Sequence, residues 1–194
     1  PVSSIKIESG GLHLGMSAEQ VTNRIQTARN IVPHAIGMNN HMGSAATADN
    51  LLMSHLMNAL RAQHLFFLDS RTSGKSVAGR IGREQGVRVL ERHIFLDDSN
   101  EPADVQHQFQ AALQYARKRG TAIVIGHPRP NTVAVLQQGL ANLPADIQLV
   151  GIGSLWRDEA FVPSKPFILI FNDIPAPTSV APFEPVPLLR GVPR

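Results

Sequence analysis

The chain has 194 residues, of which 43% are hydrophobic, no cysteine, and a formal net charge of +3 at pH 7. This size fits one globular domain with a full core, and the lack of cysteine excludes disulfides and thiolate metal sites, so any metal must be held by His, Asp, Glu or water. The basic residues are scattered among few aromatic ones, which argues against a nucleic-acid surface, and no apolar run reaches the roughly 18 residues of a membrane span.

Predicted helices and short apolar strands alternate along the chain. Ser17 and Gln20 have the spacing of a capping box, and Pro33 ends the helix that begins there. Such alternation with short connections predicts an α/β fold built on a parallel sheet or barrel. The predicted helices cover residues 18–32, 47–63, 76–85, 101–119 and 131–142, and the predicted strands cover 34–38, 65–68, 87–90, 122–125 and 147–152.

Composition divides the chain into three segments. Residues 1–16 are predicted to be irregular, and residues 17–172 carry the alternating pattern of one β/α domain. Residues 173–194 are rich in proline without a period, which predicts an extended or disordered tail. We find no internal repeat and no sign of a second domain.

The stretch Asn39-Asn40-His41-Met42-Gly43-Ser44 joins a predicted strand to a predicted helix, where α/β proteins bind ligands. His41 is a candidate metal ligand or acid–base residue; the alternative is a histidine held by a backbone carbonyl. Asn39, Asn40 and Ser44 supply hydrogen-bonding groups that could contact a substrate or fix the imidazole tautomer.

Two other predicted strands end in ionisable residues. Asp69 comes directly after the strand over 65–68, and His127 comes after the strand over 122–125. Asp69 could instead cap a turn, and His127 could pack under its own loop, which Pro128 stiffens. With His41 at an equivalent strand end, we expect the three side chains to converge on a metal or acid–base site.

Asp97 and Asp98 form a carboxylate pair just before the helix that begins at Glu101. Paired carboxylates can hold a metal or transfer protons, whereas Asp and Ser before a helix are typical caps. We assign Asp97 to the site and either Asp98 or Ser99 to capping.

Residues 73–76, Ser-Gly-Lys-Ser, resemble the end of a phosphate-binding P-loop. The full motif needs a glycine at the position of Asp69, so the match fails. Arg71 and Lys75 remain candidates for anion contacts in the crevice.

Four short motifs stand out: Gly-Met-Asn-Asn-His-Met-Gly-Ser at 37–44, Phe-Leu-Asp-Ser at 67–70, Ile-Phe-Leu-Asp-Asp at 94–98 and Ile-Gly-His-Pro at 125–128. In order and spacing they resemble those of the divergent polysaccharide deacetylase family, over about residues 16–156. The resemblance implies a deformed (β/α) barrel of the glycoside hydrolase and deacetylase type. Family members are generally exported bacterial proteins, which implies a periplasmic or extracytoplasmic location and a cell-envelope polysaccharide as partner; the oligomeric state is left open.

The resemblance also implies a function, the removal of acetyl groups by hydrolysis with the help of a divalent metal, for which zinc is the expected ion. The alternative is a non-catalytic envelope protein that binds glycan or a protein partner on the same fold. The implied roles are metal ligand for His41, catalysis for His127 and Asp69, and substrate contact for Asn39, Asn40, Ser44 and Asp97.

The family carries a pair of aspartates on its first strand, and the residues after Pro1 resemble the family's segment beyond that strand. We therefore expect this chain to lack the first strands of the barrel, and with them the catalytic base and one metal ligand. A barrel without those strands has an open sheet edge, which we expect another chain, the tail or a rearranged N-terminal segment to cover.

Overall fold

The computed structural model describes residues 10–157, and in this range short parallel strands alternate with helices. The predicted tail at 173–194 and most of the predicted irregular segment at 1–16 lie outside the described residues. In chain order the elements are α1 (Ala18–Ile31), β1 (Gly37–Asn39), α2 (Ser44–Ala48), α3 (Asn50–Ala62), β2 (Phe66–Asp69), α4 (Ala78–Gln85), β3 (Val89–Glu91), β4 (Ile94–Phe95), α5 (Pro102–Arg119), β5 (Val124–Ile125), α6 (Pro130–Ala141) and α7 (Ile152–Arg157).

The strands form two parallel sheets, one in the order β1-β2-β3 and one of β4 and β5. In the first sheet Asn39 is opposite Leu68 and Asp69 is opposite Glu91. Because all strands in a sheet run the same way, the residues that come after each strand collect at one edge. The predicted α/β class with parallel strands is confirmed, and closure into a barrel stays a prediction.

Each sheet has its own apolar core. Helices α3 and α4 pack against the first sheet, and α1 packs against α3. The cluster between these elements includes the fully buried Val21, Met57 and Phe67. Helices α5 and α6 pack together over β4 and bury Val105 and Val135. Burying such side chains stabilises the fold by roughly 1.5–3 kcal/mol each. No helix in the described part of the chain has the length and apolar character that crossing a bilayer requires.

One predicted helix is divided in two, and one predicted strand is wrong. The predicted helix over 47–63 is interrupted at Asp49, whose backbone is extended and whose carboxylate accepts a hydrogen bond from the N–H of Leu52 at 2.7 Å. Asp49 therefore caps a new helix inside the predicted one. The predicted strand over 147–152 is also absent, since Leu149 is 65% exposed and Ile152 begins α7.

His93 joins the two sheets where the chain passes from β3 to β4. Its backbone N–H donates to the carbonyl of Ile123 at 2.8 Å, and the N–H of Ile123 donates to His93 Nδ1 at 2.8 Å. Tyr115 of α5 stacks on the ring with centroids 4.8 Å apart. Burial lowers the pKa of His93, although the charge of Glu91 opposes this. The ring is therefore neutral at pH 7, and Nε2 carries its proton.

We expect this joint to make stability depend on pH. Because the folded pKa of His93 lies below the unfolded value of about 6.5, the unfolded chain binds an extra proton as the pH falls, and the free energy of unfolding decreases. The measurement is urea unfolding at pH 7.5 and 5.5 for the wild type and for His93→Gln. The glutamine oxygen can accept the Ile123 N–H without titrating, so the variant should lose less stability on acidification. The same loss in both proteins would contradict this role.

Candidate functional site

Two histidines meet at the edge where the strands end. His41 lies after β1 in the first sheet, and His127 lies after β5 in the second. Their rings touch edge to face, with centroids 6.2 Å apart and an interplanar angle of 84°. The structure thus brings together two of the residues that the sequence placed at equivalent strand ends.

Asp97 holds His127 in position. Its Oδ2 accepts the backbone N–H of His127 at 2.8 Å and the hydroxyl of Thr132 at 3.0 Å, and its Oδ1 lies 3.1 Å from His127 Nδ1. The guanidinium of Arg129 donates to the Asp97 carbonyl at 2.8 Å. Asp97 is fully buried, whereas 39% of the His127 side chain is exposed. The carboxylate therefore has a structural partner for each oxygen and supports a solvent-accessible imidazole.

The protonation of this pair depends on its surroundings. Burial raises the pKa of Asp97, but the hydrogen bonds from the His127 N–H, the Thr132 hydroxyl and the His127 ring outweigh it and leave the pKa below its ordinary value. An ionised carboxylate only accepts hydrogen bonds, so His127 Nδ1 must carry a proton. In the neutral ring, Nε2 is then free to accept a proton, and the imidazolium can donate one.

The loop that carries His41 is tied to the loop after β2. The side-chain oxygen of Asn40 accepts the Ser70 N–H at 2.8 Å, and the Ser70 hydroxyl donates to the Asn40 carbonyl at 2.7 Å. The amide of Asn39 donates to the same hydroxyl at 3.3 Å. Met42, at a φ of 61°, turns the chain into α2. The two asparagines thus brace the loop, while His41 is exposed. Their contact with a substrate stays a prediction, as does that of Ser44, the first residue of α2.

Asp69 is buried and turned into its own loop. Its Oδ1 accepts the backbone N–H of Arg71 at 2.8 Å, and its Oδ2 accepts the Ser76 hydroxyl at 2.6 Å. Arg71 has a φ of 49°, a left-handed conformation that this short hydrogen-bonded turn sustains. Asp69 therefore shapes the loop over 70–76, and a catalytic role for it stays a prediction.

The described residues do not complete a catalytic zinc site. Within residues 10–157 there is no group of three His, Asp or Glu residues placed to hold one ion. The oxygens of Asp69 and Asp97 are engaged by protein donors, which leaves His41 and His127 as the nearby imidazole ligands. Catalytic zinc sites usually have three protein ligands, so a complete site needs donors from beyond the described residues.

Sequence reasoning missed two supporting residues of this site, Arg129 and Thr132. Both lie where α6 begins, and both contact Asp97 from more than thirty positions away in the sequence. Pro130 marks the first turn of that helix and was the available signal. It locates the helix start but does not reveal which strand end the helix faces.

The sequence matches one family model and is similar to proteins of two bacteria. The family model described as divergent polysaccharide deacetylase matches residues 1–156. An uncharacterized protein of Haemophilus influenzae is 73% identical over 194 residues, which is all of this chain and 69% of that protein. The uncharacterized protein YibQ of Escherichia coli is 41% identical over 192 residues, 99% of this chain and 57% of YibQ.

A solved structure supports the fold. The crystal structure of the uncharacterized protein ATU2773 from Agrobacterium tumefaciens matches with a TM-score of 0.65 and 20% sequence identity. The match covers 73% of this chain and 58% of that one. At this identity the likeness concerns the fold alone. The chain thus spans little more than half the length of both ATU2773 and YibQ.

Replacing Asp97 with asparagine tests the buried carboxylate. Asp97→Asn keeps the shape but turns an NH2 group toward donors, so we expect it to lower the free energy of unfolding at pH 7 by about 1–3 kcal/mol. The depressed pKa means that the wild-type carboxylate stabilises the fold above the unfolded pKa of about 3.9 and loses this effect as the pH falls through its folded pKa. The gap between wild type and variant should therefore narrow in acid.

Urea unfolding at pH 7 and pH 3 measures both effects. The matched control is Asp98→Asn, because Asp98 is the exposed neighbour in the same turn. We expect the control to change stability by no more than about 0.5 kcal/mol. Equal stability of the two variants at pH 7 would contradict the supporting role of Asp97.

Proposed function

The chain belongs to the divergent polysaccharide deacetylase family, and from that premise we propose that it forms part of a hydrolase that removes acetyl groups from a cell-envelope polysaccharide. The observation that carries the proposal is the His127 imidazole, accessible at the strand ends and held through Nδ1 by a buried carboxylate. The periplasmic or extracytoplasmic location and the barrel closure are parts of the same proposal.

We assign the general acid to His127 and its positioning to Asp97. When water adds to the acyl carbon and the C–N or C–O bond breaks, the leaving amine or alcohol must gain a proton. The Nδ1–H to Asp97 hydrogen bond fixes the ring orientation and leaves Nε2 as the atom that donates the proton. This replaces the predicted substrate contact of Asp97, whose side chain is fully buried.

The proposal includes a divalent metal, zinc in the first place, with His41 as one ligand. Its exposed ring lies next to that of His127, and the remaining ligands would come from beyond residues 10–157. When bound, such an ion polarises an acyl oxygen and activates water. Asn39, Asn40 and Ser44 surround His41 in the loop and are the proposed contacts for the sugar.

A second candidate is a non-catalytic envelope protein that binds glycan or a protein partner. The inward orientation of Asp69 and Asp97 favours it, because neither carboxylate is free to act as a base. Acetate release by the intact protein separates the two candidates. No release from any acetylated glycan with metal bound would support the binding protein.

The acid role of His127 is tested with acetylated oligosaccharides. We expect His127→Asn in the intact protein to lower the rate of acetate release by about 10²–10⁴-fold, because the leaving group then departs unprotonated. His107→Asn, on the exposed face of α5, is the matched control and should keep the wild-type rate. A rate for His127→Asn within about threefold of the control would exclude His127 as the acid.

Calorimetric titration with zinc tests His41 independently of activity. We expect His41→Ala in the intact protein to bind zinc more than about tenfold more weakly, since changes in supporting residues alone typically cost 10–100-fold. His107→Ala should bind zinc as the wild type does. Equal zinc affinity for the wild type and His41→Ala would remove His41 from the site.

A further inference from the structure

An open cleft of about 440 Å³ lies at the carboxyl ends of β2 and β3. We call it the arginine cleft. Its walls are Arg71, Ser73 and Gly74 from the loop after β2, residues 91–93 at the end of β3, and Tyr115 from α5. It therefore opens where strands of the first sheet end, as the candidate site does.

The cleft has an excess of positive charge. Arg71 pairs with Glu91 at 2.7 Å, and both side chains are about two-fifths exposed, at 43% and 40%. Among the described residues Arg92 has no carboxylate at such a distance: its Nε and one Nη donate to the carbonyls of Ser70 and Arg71 at 2.7 and 3.0 Å. Burial and then the charge of Arg71 lower the pKa of Arg92, although the charges of Asp69 and Asp98 oppose this. The lining of the cleft thus holds two guanidinium groups and one carboxylate, that of Glu91.

The cleft also has uncharged groups suited to hydroxyls. His93 is neutral and its Nδ1 accepts the N–H of Ile123, so its proton lies on Nε2. The Tyr115 phenol and the Ser73 hydroxyl can each donate and accept. Such a mixture of aromatic faces and short polar groups suits a sugar ring better than a bare inorganic anion.

The Phe95 side chain contacts both Arg92 of the cleft and His127, the candidate acid. The guanidinium carbon of Arg92 lies 5.1 Å from the centroid of the Phe95 ring. That ring also contacts His127, edge to face, with centroids 5.5 Å apart and an angle of 78°. The cleft and His127 are therefore separated by one side chain, and an extended ligand can reach both.

We propose that the arginine cleft binds the carboxylate of an acidic sugar unit, in a glycan whose neighbouring acetylated unit lies at His127. This rests on the proposed function, since it names the kind of glycan that the site would select. The planar fork of a guanidinium matches a carboxylate with two parallel hydrogen bonds. Glu91 already contacts Arg71 through its carboxylate, so it occupies the position of the ligand carboxylate and competes with it.

The competition gives variants with opposite effects. Arg71→Gln removes a guanidinium group that would bind the sugar carboxylate. We therefore expect it to weaken binding of an acidic sugar by about tenfold, the effect of losing one charge-assisted hydrogen bond. Glu91→Gln removes the competitor, and we expect it to tighten binding of the same sugar severalfold. An ion pair that served only the fold would weaken binding in both variants, because either substitution breaks it.

The measurement is titration of the intact protein with N-acetylmuramic acid and with N-acetylglucosamine, two sugars that differ by a lactyl carboxylate. We expect the acidic sugar to bind about tenfold more tightly at low ionic strength, and the preference to shrink at high salt, because exposed charges are screened. The matched controls are Arg80→Gln and Glu84→Gln, which break another exposed ion pair, of 2.8 Å, on α4 and should leave both affinities unchanged.

Equal binding of the two sugars, no measurable binding of either, or weaker binding in Glu91→Gln would overturn the proposal. Inorganic phosphate that binds as tightly as N-acetylmuramic acid would overturn the carboxylate assignment. Acetate release is measured separately on the same proteins. A carboxylate preference that tracks the variants without acetate release would support the cleft and refute the deacetylase.

Discussion

The buried carboxylate of Asp97 is the interaction on which the candidate site depends. A charge that is taken out of water destabilises the fold by several kcal/mol unless hydrogen-bond donors surround it. Here the donors are the His127 backbone, the His127 ring and the Thr132 hydroxyl. Because all three must stay in place, the ends of β4 and β5 and the start of α6 are fixed relative to one another. The orientation of the His127 ring is a consequence of that requirement.

Asp69 is a second buried carboxylate that accepts hydrogen bonds at a strand end, but its partners lie close to it in the sequence. Its hydrogen-bond partners, Arg71 and Ser76, belong to the loop that it begins, whereas Asp97 binds groups at least thirty positions away. Asp69 therefore shapes one loop and places Arg71 at the wall of the arginine cleft. Asp97 joins two strand ends and a helix. In both cases the carboxylate faces inward, and the cationic or imidazole group that it supports faces the solvent.

The sequence predicts features that depend on local pattern, and misses those that depend on distant partners. Apolar runs that end in Asp69 and His127 are enough to place those residues at strand ends, and they favour the parallel α/β class. The break at Asp49 was missed because one polar residue within an apolar helical pattern is also what the solvent-exposed side of a continuous helix would show. The run over 147–152 looks like a strand, but Leu149 is mostly exposed and lies outside the described strands. Residues on separate elements, such as Arg92 and Tyr115, come together only in the fold.

The charged groups at the strand ends indicate which catalytic roles this part of a deacetylase could fill. The groups that the described residues present there include imidazoles, guanidiniums, amides, hydroxyls and the Glu91 carboxylate, which is paired with Arg71, while Asp69 and Asp97 are sequestered. Such a surface can donate protons and hold an acidic glycan, but neither buried carboxylate is free to take a proton from water. On the proposed function, this part of the protein would supply the acid and the substrate contacts, and the base would come from residues beyond those described. Activity would then require both parts, whereas the carboxylate preference of the arginine cleft requires residues of this part alone.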